Sequence, residues 1–168
     1  MKIYLAGSIP KGDEESKDFI DWRKQYITVL EKVFDAEFIT PLAGEVDETD
    51  QLLVVGKDAK SIKSSDLIIV NAEDRLGAGT AMELVIAKYL HKLVVTVLPK
   101  DTYHRRSNLT FGTVSVDDWI HPFVHTFSDF IVEHIKDVEQ LKLSIFSSSA
   151  KDITIIDRAI NHRESKLG

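Results

Sequence analysis

The chain contains no cysteine, which excludes disulfide bridges, thiolate metal sites and a cysteine nucleophile. No apolar run approaches the ~20 residues that a bilayer-spanning helix needs, so no membrane segment is expected. A basic surplus is also missing: 21 Lys and Arg against 27 Asp and Glu leave a formal charge of −6. A nucleic-acid polymer is therefore not the expected partner, because such ligands call for a dense basic patch. A single nucleotide, which a few local donors can hold, stays open. There is no internal repeat or low-complexity block, and His91 and His104 lack metal-ligand spacing. The opening segment Met1–Gly7 is too short for a signal peptide and reads as a buried strand, so a cytoplasmic location is the expectation.

What is present fits one globular domain: 168 residues, 43% hydrophobic and 29% charged. Strand-like and helix-like segments alternate, the pattern of an α/β fold with a parallel sheet. Lys2 to Ala6 is a short apolar run closed by Gly7-Ser8, with Pro10 and Gly12 beyond. Phe19, Trp22, Tyr26, Val29, Leu30 and Val33 then recur at helical spacing. Ala36 to Thr40 reads as a strand, 41–50 as an acidic loop and Thr49 to Ser64 as a helix. Leu67-Ile68-Ile69-Val70 has the continuous β-branched character of a central parallel strand. A glycine-containing turn leads to a helix over Thr80–His91 with Met82, Val85, Ile86 and Tyr89 on its expected buried face. Leu93 to Leu98 is a further central strand. Lys100 to Asp118 reads as a long polar loop, of the kind that often carries function. Thr126 to Leu141 reads as an amphipathic helix, with Phe127, Phe130, Ile131, His134, Ile135, Val138 and Leu141 on one stripe. Ser147-Ser148-Ser149 reads as a hinge before a helical tail from Asp152.

Ligands of open parallel sheets bind at the carboxyl ends of the strands. Three segments fall there: Gly7-Ser8-Ile9, the loop from Ala72 to Gly79, and the loop after Pro99. Glu83 follows the second of them, in the expected first turn of a helix, where free N–H groups favour a carboxylate. Such a carboxylate can attack an anomeric carbon and hold a glycosyl intermediate. Thr80-Ala81-Met82-Glu83 also has capping-box spacing, and spacing alone favours the cap. Asp58, expected near the end of the preceding helix, is electrostatically disfavoured there and is a second candidate. Gly7-Ser8 could offer N–H groups to a phosphate. Lys11, Arg105 and Arg106 could add positive charge or be ordinary surface residues.

Taken together, Ile3-Tyr4-Leu5-Ala6-Gly7-Ser8-Ile9, Asp58 with Asp66–Val70, Gly79-Thr80-Ala81-Met82-Glu83-Leu84 with Ala87, and Ser107-Asn108 resemble the nucleoside 2-deoxyribosyltransferase family. They also resemble its relative, the 2'-deoxynucleoside 5'-phosphate N-hydrolase. The resemblance covers roughly the first two thirds of the chain. It implies a flavodoxin-like five-stranded parallel sheet, with residues 1–143 as the catalytic domain and 144–168 as a C-terminal extension. It implies Glu83 as nucleophile, Asp58 as the group that handles the proton of the base, and Tyr4 as a residue that orients the glutamate. Asn108 matches an asparagine donated in trans by a neighbouring subunit, which implies a homodimer or higher homo-oligomer. The implied reaction is N-glycosidic cleavage of a small nucleoside or nucleotide, in salvage, without metal or organic cofactor.

Two departures bear on the acceptor. Gly77 stands where the transferases carry an aspartate for the sugar's 5'-hydroxyl, and only Asp74 lies nearby. A missing carboxylate removes repulsion against a 5'-phosphate. Gly7-Ser8-Ile9 and Ser107 match phosphate-contacting positions of the hydrolase, whereas Pro10 replaces a hydrolase arginine and Lys11 is adjacent. Transfer of deoxyribose to another base is the first reading, and hydrolysis of a 5'-monophosphate the alternative. A nucleotide-binding module without turnover is a third reading, disfavoured by the presence of both Asp58 and Glu83.

Overall fold

In a computed structural model, all residues are described except 12–14, 16, 43–46, 48 and 168. Gly12 and much of the expected loop at 41–50 lie outside the described residues. The main sheet is built from β1 (Lys2–Ala6), β2 (Glu37–Ile39), β3 (Leu67–Asn71), β4 (Leu93–Val97) and β7 (Phe130–Val132), in the order β2-β1-β3-β4-β7. Every pairing in it is parallel. Helices cover both faces, giving a three-layer α/β flavodoxin-like fold.

Alternation along the strands decides which helix each residue meets, because successive side chains point to opposite faces. Ile3, Leu5, Leu67, Ile69, Val95 and Val97 pack with Tyr26 and Leu30 of α1 (Arg23–Leu30). The same core takes in Val138 of a 3-10 helix (Ile135–Leu141) and Ile145 of α5 (Lys142–Ser147). Tyr4, Ala6, Ile68, Val70 and Val94 face the other way. They meet Ile62 of α2 (Gln51–Ser64), Leu84 and Ala87 of α3 (Ala78–Tyr89), and Phe127 of α4 (Pro122–Phe127). Asp50 starts α2 by accepting the Leu53 N–H at 3.0 Å. A last helix, α6, spans Ile155–Leu167. Among the described residues no helix is long and apolar enough to cross a membrane.

Three expectations are corrected. The polar segment 100–118 is not a loop: β5 (Arg105–Phe111) and β6 (Val114–Ile120) form an antiparallel hairpin. Its turn is tight, with Gly112 at φ 61° supplying the left-handed backbone. The single amphipathic helix expected over 126–141 is three elements. α4 stops at Ser128, whose hydroxyl donates to the Val124 carbonyl at 2.6 Å. The Asp129 carboxylate then accepts the Val94 N–H at 2.7 Å and pairs with Lys88. Those bonds draw the chain into the sheet, and Phe130–Val132 becomes the edge strand beside Val95–Val97. The chain re-enters a helical turn only after His134, whose N–H is accepted by Asp137 at 2.9 Å. Finally, α3 does not bury Met82 and Tyr89, which are 58% and 68% exposed; it buries Thr80, Glu83, Leu84, Ala87 and Lys88.

Candidate active site

Strand order reverses between β1 and β3, and in open parallel sheets the loops leaving the carboxyl ends at such a point part to form the ligand crevice. Tyr4 projects from β1 toward the layer of α2 and α3 and is fully buried. Its hydroxyl donates to Glu83 Oε1 at 2.5 Å. Glu83 lies one turn deeper in α3 than expected. The helix is capped by the Gly77 backbone without a side-chain cap, so Glu83 is its sixth residue and its carboxylate turns to the sheet. The capping-box reading therefore does not hold.

A carboxylate that is only 6% exposed needs compensation. Burial pushes the Glu83 carboxyl up to about 7. The Tyr4 hydrogen bond pulls against that rise, the negative charge of Asp58 adds to it, and the positive charge of Arg23 opposes it. Tyr4 is driven far above the ordinary range of a phenol by burial and by Glu83, which keeps it a neutral donor. Asp58 acts electrostatically on both members of the pair. It sits in the middle of α2 rather than near its end, half-buried on the side that faces them.

Arg23 was not identifiable from sequence, where it is one more cation on an amphipathic helix. In the fold it is 1% exposed. Its guanidinium donates to the Gly7 carbonyl at 3.2 Å, the Ser8 carbonyl at 3.3 Å and Asp21 Oδ1 at 3.1 Å. Trp22 Nε1 donates to the same Ser8 carbonyl at 3.1 Å. The indole packs so closely on Gly7 that an added Cβ would lie 2.5 Å from its Cζ2, which accounts for glycine at that position. Ser8 and Ile9 are exposed beyond this contact.

The loop after β3 is held from above. The Leu76 N–H donates to His104 Nε2 at 2.9 Å, which joins the β5–β6 hairpin to the segment that enters α3. At the mouth of that helix, a Cβ added at Gly77 or Gly79 would meet no atom within 4 Å beyond the adjoining chain among the described residues. Arg105 is not free to meet a ligand: it is bound bidentately to Asp118 at 2.8 and 2.7 Å and donates to the Leu98 carbonyl at 3.0 Å. Arg106 and Lys11 are exposed. Ser107 and Asn108 are exposed on β5, and no hydrogen bond joins them to the Tyr4–Glu83 pair. Asn108 adopts a left-handed backbone at φ 53°, which asparagine tolerates better than most residues. Tyr4, Asp58 and Glu83 thus come together around the crevice with the Gly7–Ser8 turn, while Ser107 and Asn108 stand apart on the hairpin.

No protein-family model matches the chain, and no curated protein matches it in sequence. Solved structures do. A 2-deoxyribosyltransferase from the psychrotolerant bacterium Bacillus psychrosaccharolyticus matches with a TM-score of 0.54 at 22% identity, over 83% of this chain and 90% of that one. A 2-deoxyribosyltransferase from Leishmania mexicana matches with a TM-score of 0.56 at 17% identity, over 84% and 97%. A CMP N-glycosidase from Clostridium botulinum matches with a TM-score of 0.47 at 19% identity, over 87% and 99%. At these identities the likeness establishes the fold.

Proposed function

We propose that this protein is an enzyme that cleaves the N-glycosidic bond of a deoxynucleoside or its 5'-monophosphate through a glycosyl-Glu83 intermediate. The observation that carries the reading is the buried Tyr4–Glu83 pair, joined at 2.5 Å at the crevice between β1 and β3. A carboxylate held there by a neutral phenol and faced by a second carboxyl group is an arrangement suited to glycosyl transfer. The two 2-deoxyribosyltransferases of the same fold support the reaction class.

In the first step Glu83 Oε attacks C1' while the bond from C1' to the base nitrogen breaks. The departing nitrogen keeps the electron pair and takes a proton by way of Asp58. Tyr4 keeps the attacking carboxylate in place as its charge moves onto the sugar. In the second step an acceptor attacks C1', gives its proton back to Asp58, and releases Glu83. A free base as acceptor makes the protein a transferase. Water makes it a 5'-monophosphate N-hydrolase, and the open space at Gly77 favours that second reading, since no side chain there would repel a phosphate. Ser8, Ile9 and Gly79 are the proposed contacts to the 5' end. Ser107 and Asn108, exposed side by side on their hairpin, are proposed to complete the crevice of a neighbouring copy, Ser107 at the phosphate.

Chromatography of free base tests this reading. Deoxynucleosides and their 5'-monophosphates are incubated with the protein, each with and without a second base. Base exchange on nucleosides identifies a transferase, and release from monophosphates alone identifies a hydrolase. Nucleotide binding with no base release from any substrate refutes the enzyme and leaves a binding module.

A further inference from the structure

Arg23 is among the largest fully buried side chains of the protein, and its charge has no complete partner. Asp21, its one ion-pair partner among the described residues, is itself 25% exposed and reaches only one terminal nitrogen. The Nε atom has no hydrogen-bond partner among the described residues. A guanidinium kept in this setting needs further negative potential, because a buried cation without it is strongly unfavourable. The two carbonyls it grips supply part of that potential, and its charge also acts on the carboxylate of Glu83.

The neighbouring residue completes the device. The Trp22 indole lies under the guanidinium, 4.4 Å from ring centre to Cζ, and donates its own N–H to Ser8. Three hydrogen bonds from two adjacent residues therefore hold the carbonyls of Gly7 and Ser8 toward α1. In trans peptides the following N–H groups, those of Ser8 and Ile9, then point away from α1. Both residues come from the layer opposite to that of Glu83, so the contact ties that layer to the turn at the carboxyl end of β1.

We propose that Trp22 and Arg23 form a clamp that fixes the turn after β1, and that Arg23 is a positioning residue whose buried charge acts toward Glu83 from the opposite layer. This rests on Glu83 being the nucleophile. The charged and titratable groups facing Glu83 are Tyr4 from β1, Asp58 from α2 and Arg23 from α1, and of these only Arg23 is a cation. Charge and grip are separable. Lys at position 23 keeps the charge but lacks the planar guanidinium fork that meets Gly7, Ser8 and Asp21 together, whereas Gln or Met removes the charge.

The test has two readouts on the full chain. The acid limb of kcat/KM for base release is compared in the wild type, R23K, and R23Q or R23M, either neutral variant sufficing if folded. In parallel, carbon-labelled glutamate, with the Glu83 signal assigned by its absence in E83Q, is titrated by NMR. The expected result is an upward move of the limb and of the Glu83 titration in the neutral variant. R23K should leave both near the wild-type position while raising KM several-fold, which a merely structural role would not separate. Unmoved titration in the neutral variant overturns the proposal. If the wild type releases no base while the carboxyl titration still moves, the functional reading fails and the electrostatic role of Arg23 stands.

Discussion

Replacing Glu83 by Gln should stabilise the fold at neutral and alkaline pH, although it removes the group on which activity depends. The carboxyl is raised from an ordinary 4.5 to about 7, mainly by burial. A group whose folded pKa lies above its unfolded value contributes its full stability only below the unfolded pKa and loses it as pH rises through the folded one. Wild-type stability should therefore fall between pH 4.5 and about 7 and level off above. At ~1.36 kcal/mol per pH unit, the rise from 4.5 to about 7 amounts to about 3 kcal/mol. Gln carries no charge, and its oxygen can still accept the Tyr4 hydroxyl, so E83Q escapes the loss. Urea unfolding of both proteins from about pH 4 to about pH 8 measures the gap directly, since all other titrating groups are shared. The gap should be near zero at the acid end and grow to about 3 kcal/mol at the alkaline end. A gap that does not change with pH, or a less stable E83Q at high pH, would show that burial of an ionised Glu83 is not what the fold tolerates here.

Three further outcomes follow from the same geometry. Y4F removes the donor that opposes the upward push on Glu83, so the acid limb of activity should move up and kcat/KM should fall about ten- to a hundredfold with the melting temperature little changed, a hydrogen bond to a charge being worth ~1.5–3 kcal/mol. G77D, at a position where an added Cβ meets nothing within 4 Å among the described residues, should lower turnover of 5'-monophosphates about tenfold relative to free nucleosides; equal loss on both would remove position 77 from the 5' end. D129A leaves Lys88 buried without its carboxylate, and urea unfolding should show a loss of about 3–5 kcal/mol, because Asp129 also accepts the N–H groups of Val94 and Lys151, both at 2.7 Å.

The sheet was largely legible because its central strands are short apolar runs with turn residues at both ends. Leu67–Val70 could hardly be anything else in an alternating chain. The edge strand was not legible, since Phe127, Phe130, Ile131, His134 and Ile135 satisfy helical spacing as well as any helix, and three residues of strand are too few to show alternation. What breaks the helix is tertiary: Asp129 meets Lys88, forty-one residues away. The hairpin did carry a local signal in Leu109–Phe111 and Val114–Val116 around Gly112-Thr113, hidden by its many polar residues. At the site, spacing alone pointed Glu83 toward a cap, and only the family resemblance singled it out. Arg23 and His104 gave no local signal, because each acts on a backbone group distant in sequence, Gly7–Ser8 in one case and Leu76 in the other.

The central claim is that Glu83 forms a bond to the sugar. It is tested most directly by quenching the protein in acid during turnover of a deoxynucleoside or its 5'-monophosphate and mapping the digested peptides by mass. The account predicts a peptide containing Glu83 that carries the mass of the sugar or sugar phosphate, absent in E83Q, which should also release no base. Base release by E83Q at the wild-type rate, or a sugar adduct on a peptide without Glu83, would contradict it.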